Sequence, residues 1–155
     1  ITTHIGLNAH AIELMNAGRI EVEFCAQGIL AERIRAGGAG LGAILTDIGA
    51  ETELAAHKQR VEVGGQSYVV ETALRADVAL IHANSADTFG NLDYVATARN
   101  FNPLMAMAAT RVIVEAEQVL PLGALAADAA HTPGPFVDCV VELGNLSEEY
   151  AVVRR

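Results

Sequence analysis

Two stretches of the chain read as alternating runs of polar and apolar residues. They are Arg60-Val-Glu-Val63 and Gln66-Ser-Tyr-Val-Val70, separated by Gly64-Gly65. Period-two alternation places one strand face against a core, and Gly-Gly supplies the positive φ of a tight turn, so a β-hairpin is predicted. The run Val78-Ala-Leu-Ile81 is apolar throughout and predicts a central strand. Shorter apolar or β-branched runs predict further strands at Ile1–Ile5, Ile20–Phe24, Ala43–Thr46, Arg111–Val114 and Phe136–Val141. Between them lie helical compositions. Asn8 is a good N-cap, Ala9–Ala17 is helical and Gly18 suits the position after the helix end. Asn102 reads as a cap with Pro103 at the first helical position, followed by a helix over Leu104–Ala109. Turns are expected at Asp47–Glu51 and Gly90-Asn91, and a loop with a short helix at Pro121–Ala130. The charged tail from Ser147 is expected to fray. Alternation of strands and helices predicts an α/β fold with a mostly parallel, doubly wound sheet, from which the hairpin is an excursion.

The run from Ala26 to Gly42 joins these patterns without a gap. Gln27-Gly28 breaks the preceding strand, and Leu30–Ala36 consists of good helix formers. Leu30 and Ile34 share one face, with Arg33 on another. Gly37-Gly38 is expected to end this helix, because glycine enters the left-handed region without steric cost. A turn that opens into a helix N-terminus presents backbone N–H groups with partial positive charge, which suits an anion or a developing oxyanion.

Composition narrows the class. The chain has 155 residues, of which 52% are hydrophobic, with no Trp. That length suits one domain over residues 1–155 with a core of Ala, Val, Ile and Leu. A net charge of −9 argues against nucleic acid, whose phosphates need a basic stripe. No apolar run reaches the roughly 18 residues of a membrane span, and no signal peptide opens the chain, so a cytoplasmic protein with no membrane partner is expected. Cys25 and Cys139 show no metal or disulfide spacing, and buried free thiols are favoured over a functional pair.

Ordinary catalytic patterns are absent: there is no Gly-x-Ser-x-Gly elbow and no Walker loop. The histidines at 4, 10, 57, 82 and 131 have no metal spacing, so no metal site is expected and structural roles are favoured. Glu115 and Glu117 fall on one sheet face, where a solvated strand end is favoured over a carboxylate dyad. Met105 and Met107 read as core. Gly37–Gly42 follows a helix instead of a strand, so it fails the dinucleotide-binding fingerprint; a packing loop is favoured over a ligand loop.

A resemblance carries the reading further. Gln27-Gly28 followed by Leu30-Ala-Glu-Arg-Ile-Arg-Ala-Gly-Gly-Ala-Gly40 resembles the A (alpha) subunit of the family I acetate/3-oxoacid CoA-transferases. So do Thr3–Asn8, Leu74–Ile81, Gly90-Asn91-Leu92, Ala98–Pro103 and His131-Thr-Pro-Gly134, in order over most of the chain. Two departures mark this sequence. Ala26 stands where the family usually has Pro, and Asp47–Thr52 replaces a Thr-Pro-Thr-Gly-Val-Gly-Thr-like loop that begins at Thr46. The family's Gly-Gly-Phe-like motif would lie before Ile1, so the resemblance implies that the N-terminal part of the domain is missing.

The resemblance implies a CoA-transferase/NagB-like fold and transfer of coenzyme A between short-chain acyl-CoA and a carboxylate. The route is ping-pong, through a glutamyl-CoA thioester on a B (beta) subunit that carries the catalytic Glu. It further implies that Gln27 offers a backbone N–H to the oxyanion hole and that Gly28, Gly37, Gly38, Ala39 and Gly40 bind substrate. An Asn100-Phe101-Asn102 stretch at a helix entry suggests a surface facing the partner subunit, about evenly weighed against a hydrophobic staple from Phe101 to Ala106. The implied assembly is a hetero-tetramer or larger, and no cofactor is expected beyond the CoA thioester as substrate. Two alternatives stay open: a sugar-phosphate isomerase-like enzyme, which needs its own base and phosphate site, and an effector-binding domain of a regulator.

Overall fold

The computed structural model describes residues 1–143, and the expected fraying of the tail from Ser147 falls outside them. The chain divides into two compact units, Ile1–Leu74 and a second from Arg75 onward.

The first unit opens with a single parallel bridge, Thr2 to Phe24, where strands were expected at Ile1–Ile5 and Ile20–Phe24. Only two backbone hydrogen bonds support it, Thr2 N–H to Glu23 O and Cys25 N–H to Thr2 O, each 3.0 Å. Helix α1 spans Ala9–Asn16, and the Asn8 side chain accepts from the Ala11 N–H as a cap. Helix α2 spans Gln27–Gly38. Gln27 and Gly28 therefore form its first turn and do not precede it. Gly37 and Gly38 lie in its last turn and do not end it. The stop is Gly40, at φ +76°: its N–H bonds Gly37 O and the Leu41 N–H bonds Ala36 O, the paired closure of a helix that ends on a left-handed residue.

Strand β1 (Ala43–Thr46) pairs antiparallel with β3 (Gln66–Thr72), which pairs antiparallel with β2 (Arg60–Val63). The expected hairpin is present, with Gly64 at φ +60° and Gly65 at φ +81°, as a twisted two-residue turn demands. It belongs to this separate three-stranded sheet.

The second unit holds the mostly parallel sheet, in the order β5-β4-β6-β7. Strand β4 (Ala76–Asp87) extends the expected Val78–Ile81 run in both directions; β5 is the short Leu92–Asp93. Helix α3 (Asn102–Ala108) leads directly into β6 (Ala109–Leu120), which lies parallel to β4, and β7 (Cys139–Glu142) is parallel to β6. Phe136 sits in a short 3₁₀ turn, so the last strand starts three residues later than expected. One face of the sheet carries Ala79, Ile81, Ala83, Val112, Val114 and Ala116, all buried with Leu92, Tyr94 and Ala106. On the other face Val78, Leu80, Ile113 and Val141 are exposed.

Candidate functional site

In the first unit, the candidate site is the start of α2. Ala26 is the N-cap, extended at φ −60° and ψ 137°, and has no side-chain oxygen to cap with. The Gln27, Gly28 and Ile29 N–H groups find no acceptor among the described residues, as the geometry of a helix start dictates. No acidic residue occupies the first turn, so the positive end of the helix dipole is uncompensated. Gln27 and Gly28 are exposed. A side chain built at Gly28 would meet nothing within 4 Å, so this turn has room for a ligand.

The buried stripe of α2 is Ile29, Arg33, Ile34, Ala36 and Gly37. Leu30 is only partly covered, and Arg33 lies inside. Arg33 Nη1 donates to Glu23 Oε1 at 2.7 Å and Nε to the Thr72 carbonyl at 2.9 Å. The hydrogen bond from Arg33 holds the Glu23 carboxyl below its ordinary pKa, ahead of the opposing effect of burial. The sequence offered a signal for this placement, since Ile29 and Arg33 are four apart, but arginine is read by default as a solvent-facing residue.

Of the expected substrate residues, only Gly28 lies beside Gln27. Gly37, Gly38, Ala39 and Gly40 sit at the opposite end of α2, about 15 Å away by helical rise. Gly37 is buried, whereas Ala39 and Gly40 are exposed.

In the second unit, residues 95–100 form an exposed segment around a 3₁₀ turn at Ala96–Arg99, with Ala96 at φ 50° and Asn100 at φ 37°. Neither is glycine, so both are strained. Asn102 is not the cap of α3: that position belongs to Phe101, and Asn102 is the first helical residue. Its side-chain amide instead donates to the carbonyls of Ala98 (2.9 Å) and His82 (3.2 Å) and fixes the loop to β4. Phe101 is partly buried and Asn100 exposed. Arg99 Nη2 lies 2.5 Å from His131 Nε2, and His131 Nδ1 lies 3.1 Å from Asp93 Oδ1. Arginine is always a donor, so the imidazole accepts at Nε2, while Nδ1 is buried beside Asp93 without forming a hydrogen bond.

Glu115 and Glu117 share a face, as their spacing predicts, and the parallel register sets His82 opposite Glu115. His82 Nδ1 is 3.1 Å from Glu115 and Nε2 is 3.3 Å from Glu117. With Leu80, Ile113, Val141 and Leu143, His82 and Glu115 line a groove of about 380 Å³. At the far end of β4, Asp87 accepts from the N–H groups of Phe89 and Asn91 and from the Asn91 side chain. Burial would raise its pKa, but these hydrogen bonds outweigh it and hold the carboxyl below its usual value. Both cysteines are free; Cys25 is buried as expected, but Cys139 on edge strand β7 is exposed. Among the described residues no cluster of His, Cys, Asp and Glu could hold a metal ion, and no helix is long and apolar enough to cross a membrane.

One unit is built on a mostly parallel sheet, and in the other an exposed helix start without a side-chain cap accompanies an antiparallel sheet, which together define an α/β protein. The family is established by comparison: residues 1–143 match the Coenzyme A transferase family model. The chain belongs to the coenzyme A transferase family. It is 51% identical over 152 residues to the alpha subunit of a probable coenzyme A transferase of Bacillus subtilis, covering 97% of this chain and 66% of that protein. It is 50% identical over 141 residues to the A-type subunit of a succinyl-CoA:3-ketoacid coenzyme A transferase of Xanthomonas campestris, covering 91% of this chain and 58% of that one. The chain thus spans less than two thirds of the length of these relatives. An acyl-CoA transferase apoenzyme from Escherichia coli O157:H7 shares the fold, with a TM-score of 0.84 at 21% identity over 94% of this chain and 32% of that chain. A variant of the decarboxylase AibA/AibB superposes with a TM-score of 0.73 at 31% identity over 86% of this chain and 50% of that chain.

Proposed function

We propose that this chain is the A-subunit part of an acetate/3-oxoacid CoA-transferase that works with a B subunit. The observation that carries the reading is the similarity to A-type (alpha) subunits of such enzymes, together with the exposed, uncapped Gln27–Gly28 turn at the place where the family resemblance calls for an oxyanion donor. The nucleophilic Glu, which forms the glutamyl-CoA thioester, belongs to the B subunit. Attack on a thioester puts negative charge on the carbonyl oxygen. A fixed Gln27 N–H at that point is worth about 3 kcal/mol of barrier. Gly28 leaves the approach open, whereas Gly37–Gly40, at the other end of α2, serve a separate part of the substrate. The loop at Asn100, Phe101 and Asn102 faces the partner subunit in an assembly of both chains, a hetero-tetramer or larger. No cofactor acts beyond the CoA thioester, and the enzyme works in the cytoplasm.

The test is transfer of CoA between acyl-CoA and a carboxylate. The chain alone is expected to be inactive, and activity is expected once the protein is assembled with its B subunit. Gln27→Ala keeps the amide and lowers turnover modestly. Gln27→Pro removes the N–H and lowers turnover about a hundredfold or more, with thioester formation slowed. A folded Gln27→Pro enzyme that acylates at the parental rate overturns the oxyanion assignment. Phe101→Ala is expected to weaken assembly on gel filtration. Similarity to a decarboxylase favours a second reading, and release of CO₂ from an acyl-CoA without CoA exchange would select it.

A further inference from the structure

Arg33 is 7% exposed in the middle of α2, and its guanidinium meets Glu23, the Thr72 carbonyl, Glu71 and the Cys25 thiol. Beside its bonds to Glu23 and the Thr72 carbonyl, Nε lies 4.0 Å from Glu71 Oε2. Glu71, itself buried, takes Lys58 Nζ at 2.6 Å. Four charges of alternating sign, Glu23–Arg33–Glu71–Lys58, therefore join the segment before α2, α2 itself, β3 and the loop before β2.

Burying such a chain is a poor way to gain stability, since the desolvation of the ions opposes their attraction. What a guanidinium supplies is direction: its donors form a rigid planar fork. The Glu23–Arg33 bond spans ten residues and encloses the whole first turn of α2. Within that span Ala26 gives no capping oxygen, so the usual restraint on a helix start is absent. Glu23 is also the residue whose carbonyl receives the Thr2 N–H. The segment entering the helix is thus held from one side by backbone pairing and from the other by Arg33.

We propose that Arg33 is the positioning residue for the start of α2, fixing through Glu23 the direction in which the Gln27 and Gly28 N–H groups point. The catalytic consequence rests on the reading of Gln27 given above, but the positioning itself is measurable without activity.

The experiment compares the parent chain with Glu23→Gln, which removes a charge from a half-exposed side chain, and Arg33→Lys, which keeps the charge and loses the fork. Backbone ¹⁵N relaxation is read at Gln27, Gly28, Ile34 and Ala36. The order parameters of Gln27 and Gly28 are expected to fall from about 0.85 to below about 0.6 in both variants, while Ile34 and Ala36 stay rigid. In the protein assembled with its B subunit, kcat is expected to fall at least about tenfold with KM unchanged. A purely structural role would lower the melting temperature and leave kcat per folded molecule intact. Unchanged order parameters at Gln27 and Gly28 in folded Glu23→Gln overturn the proposal. Loosened amides with parental kcat leave the positioning standing and overturn the Gln27 reading instead. Should Arg33→Lys fail to fold, Glu23→Gln decides, because the Glu23 side chain is half in water.

Discussion

The two units of this chain solve the problem of an interior differently. In the unit from Arg75 onward, small and branched side chains of β4 and β6 pack with Leu92, Tyr94 and Ala106 in one apolar cluster. In the unit before it, the apolar cluster is Ala50, Ala55 and Val69, and the buried set also includes Arg33 and Glu71. Apolar packing is non-directional: it holds elements together and tolerates small shifts. A buried ion chain costs desolvation but constrains angles. The unit with the candidate oxyanion donor is the one that gives up cohesion for direction. In the unit from Arg75 onward, the non-glycine residues at positive φ among those described are Ala96 and Asn100.

The comparison breaks most readily at Glu71. Glu71→Ala leaves Arg33 and Lys58 without their shared buried partner and is expected to cost about 4 kcal/mol, read by denaturant unfolding. A loss under about 1 kcal/mol would show that the ion chain carries little of the first unit. Leu92→Ala, at a side chain with no exposed surface, is expected to cost about 3 kcal/mol through the cavity it leaves. Gly134→Ala comes next. Its new Cβ would lie 2.5 Å from the Phe89 carbonyl oxygen and 3.1 Å from the Phe89 carbonyl carbon, so backbone has to shift, at about 2 kcal/mol.

The smallest expected effect is one of pH. Glu23 is half exposed, and its pKa is lowered from 4.5 by Arg33. A lowered carboxyl stabilises the fold fully above 4.5 and loses that contribution as pH falls through its folded value. The acid limb of a stability curve should therefore flatten slightly in Glu23→Gln. Added salt should mimic this by screening the half-exposed Glu23 from Arg33.

Local sequence was sufficient wherever local physics decides. The hairpin at Gly64-Gly65, the Asn8 cap and the central run Val78–Ile81 follow from turn geometry, capping and burial alone, and all three stand in the structure. The residue blocks around Gln27, Ala98–Pro103 and His131 pointed to the family for the same reason: they are contiguous words of sequence. What sequence missed involves partners far apart. Ile20–Phe24 has strand composition but only Thr2 to pair with, so its fate depended on a neighbour. Gly37-Gly38 could have ended α2, yet the closure came at Gly40, where the carbonyls of Ala36 and Gly37 found donors. The spacing of Arg33 from Ile29 fitted burial but did not require it, because its partners Glu23, Glu71 and Thr72 are brought to it only by folding. His82 met Glu115 and Glu117 through a parallel register that no local pattern encodes. The amino-acid sequence by itself determined the helical and extended propensities and the residues that identify the family. Tertiary structure decided which charges were buried, because a charge enters an interior only when the fold delivers a counter-charge, as for Arg33 and Glu71, or hydrogen-bond donors, as for Asp87.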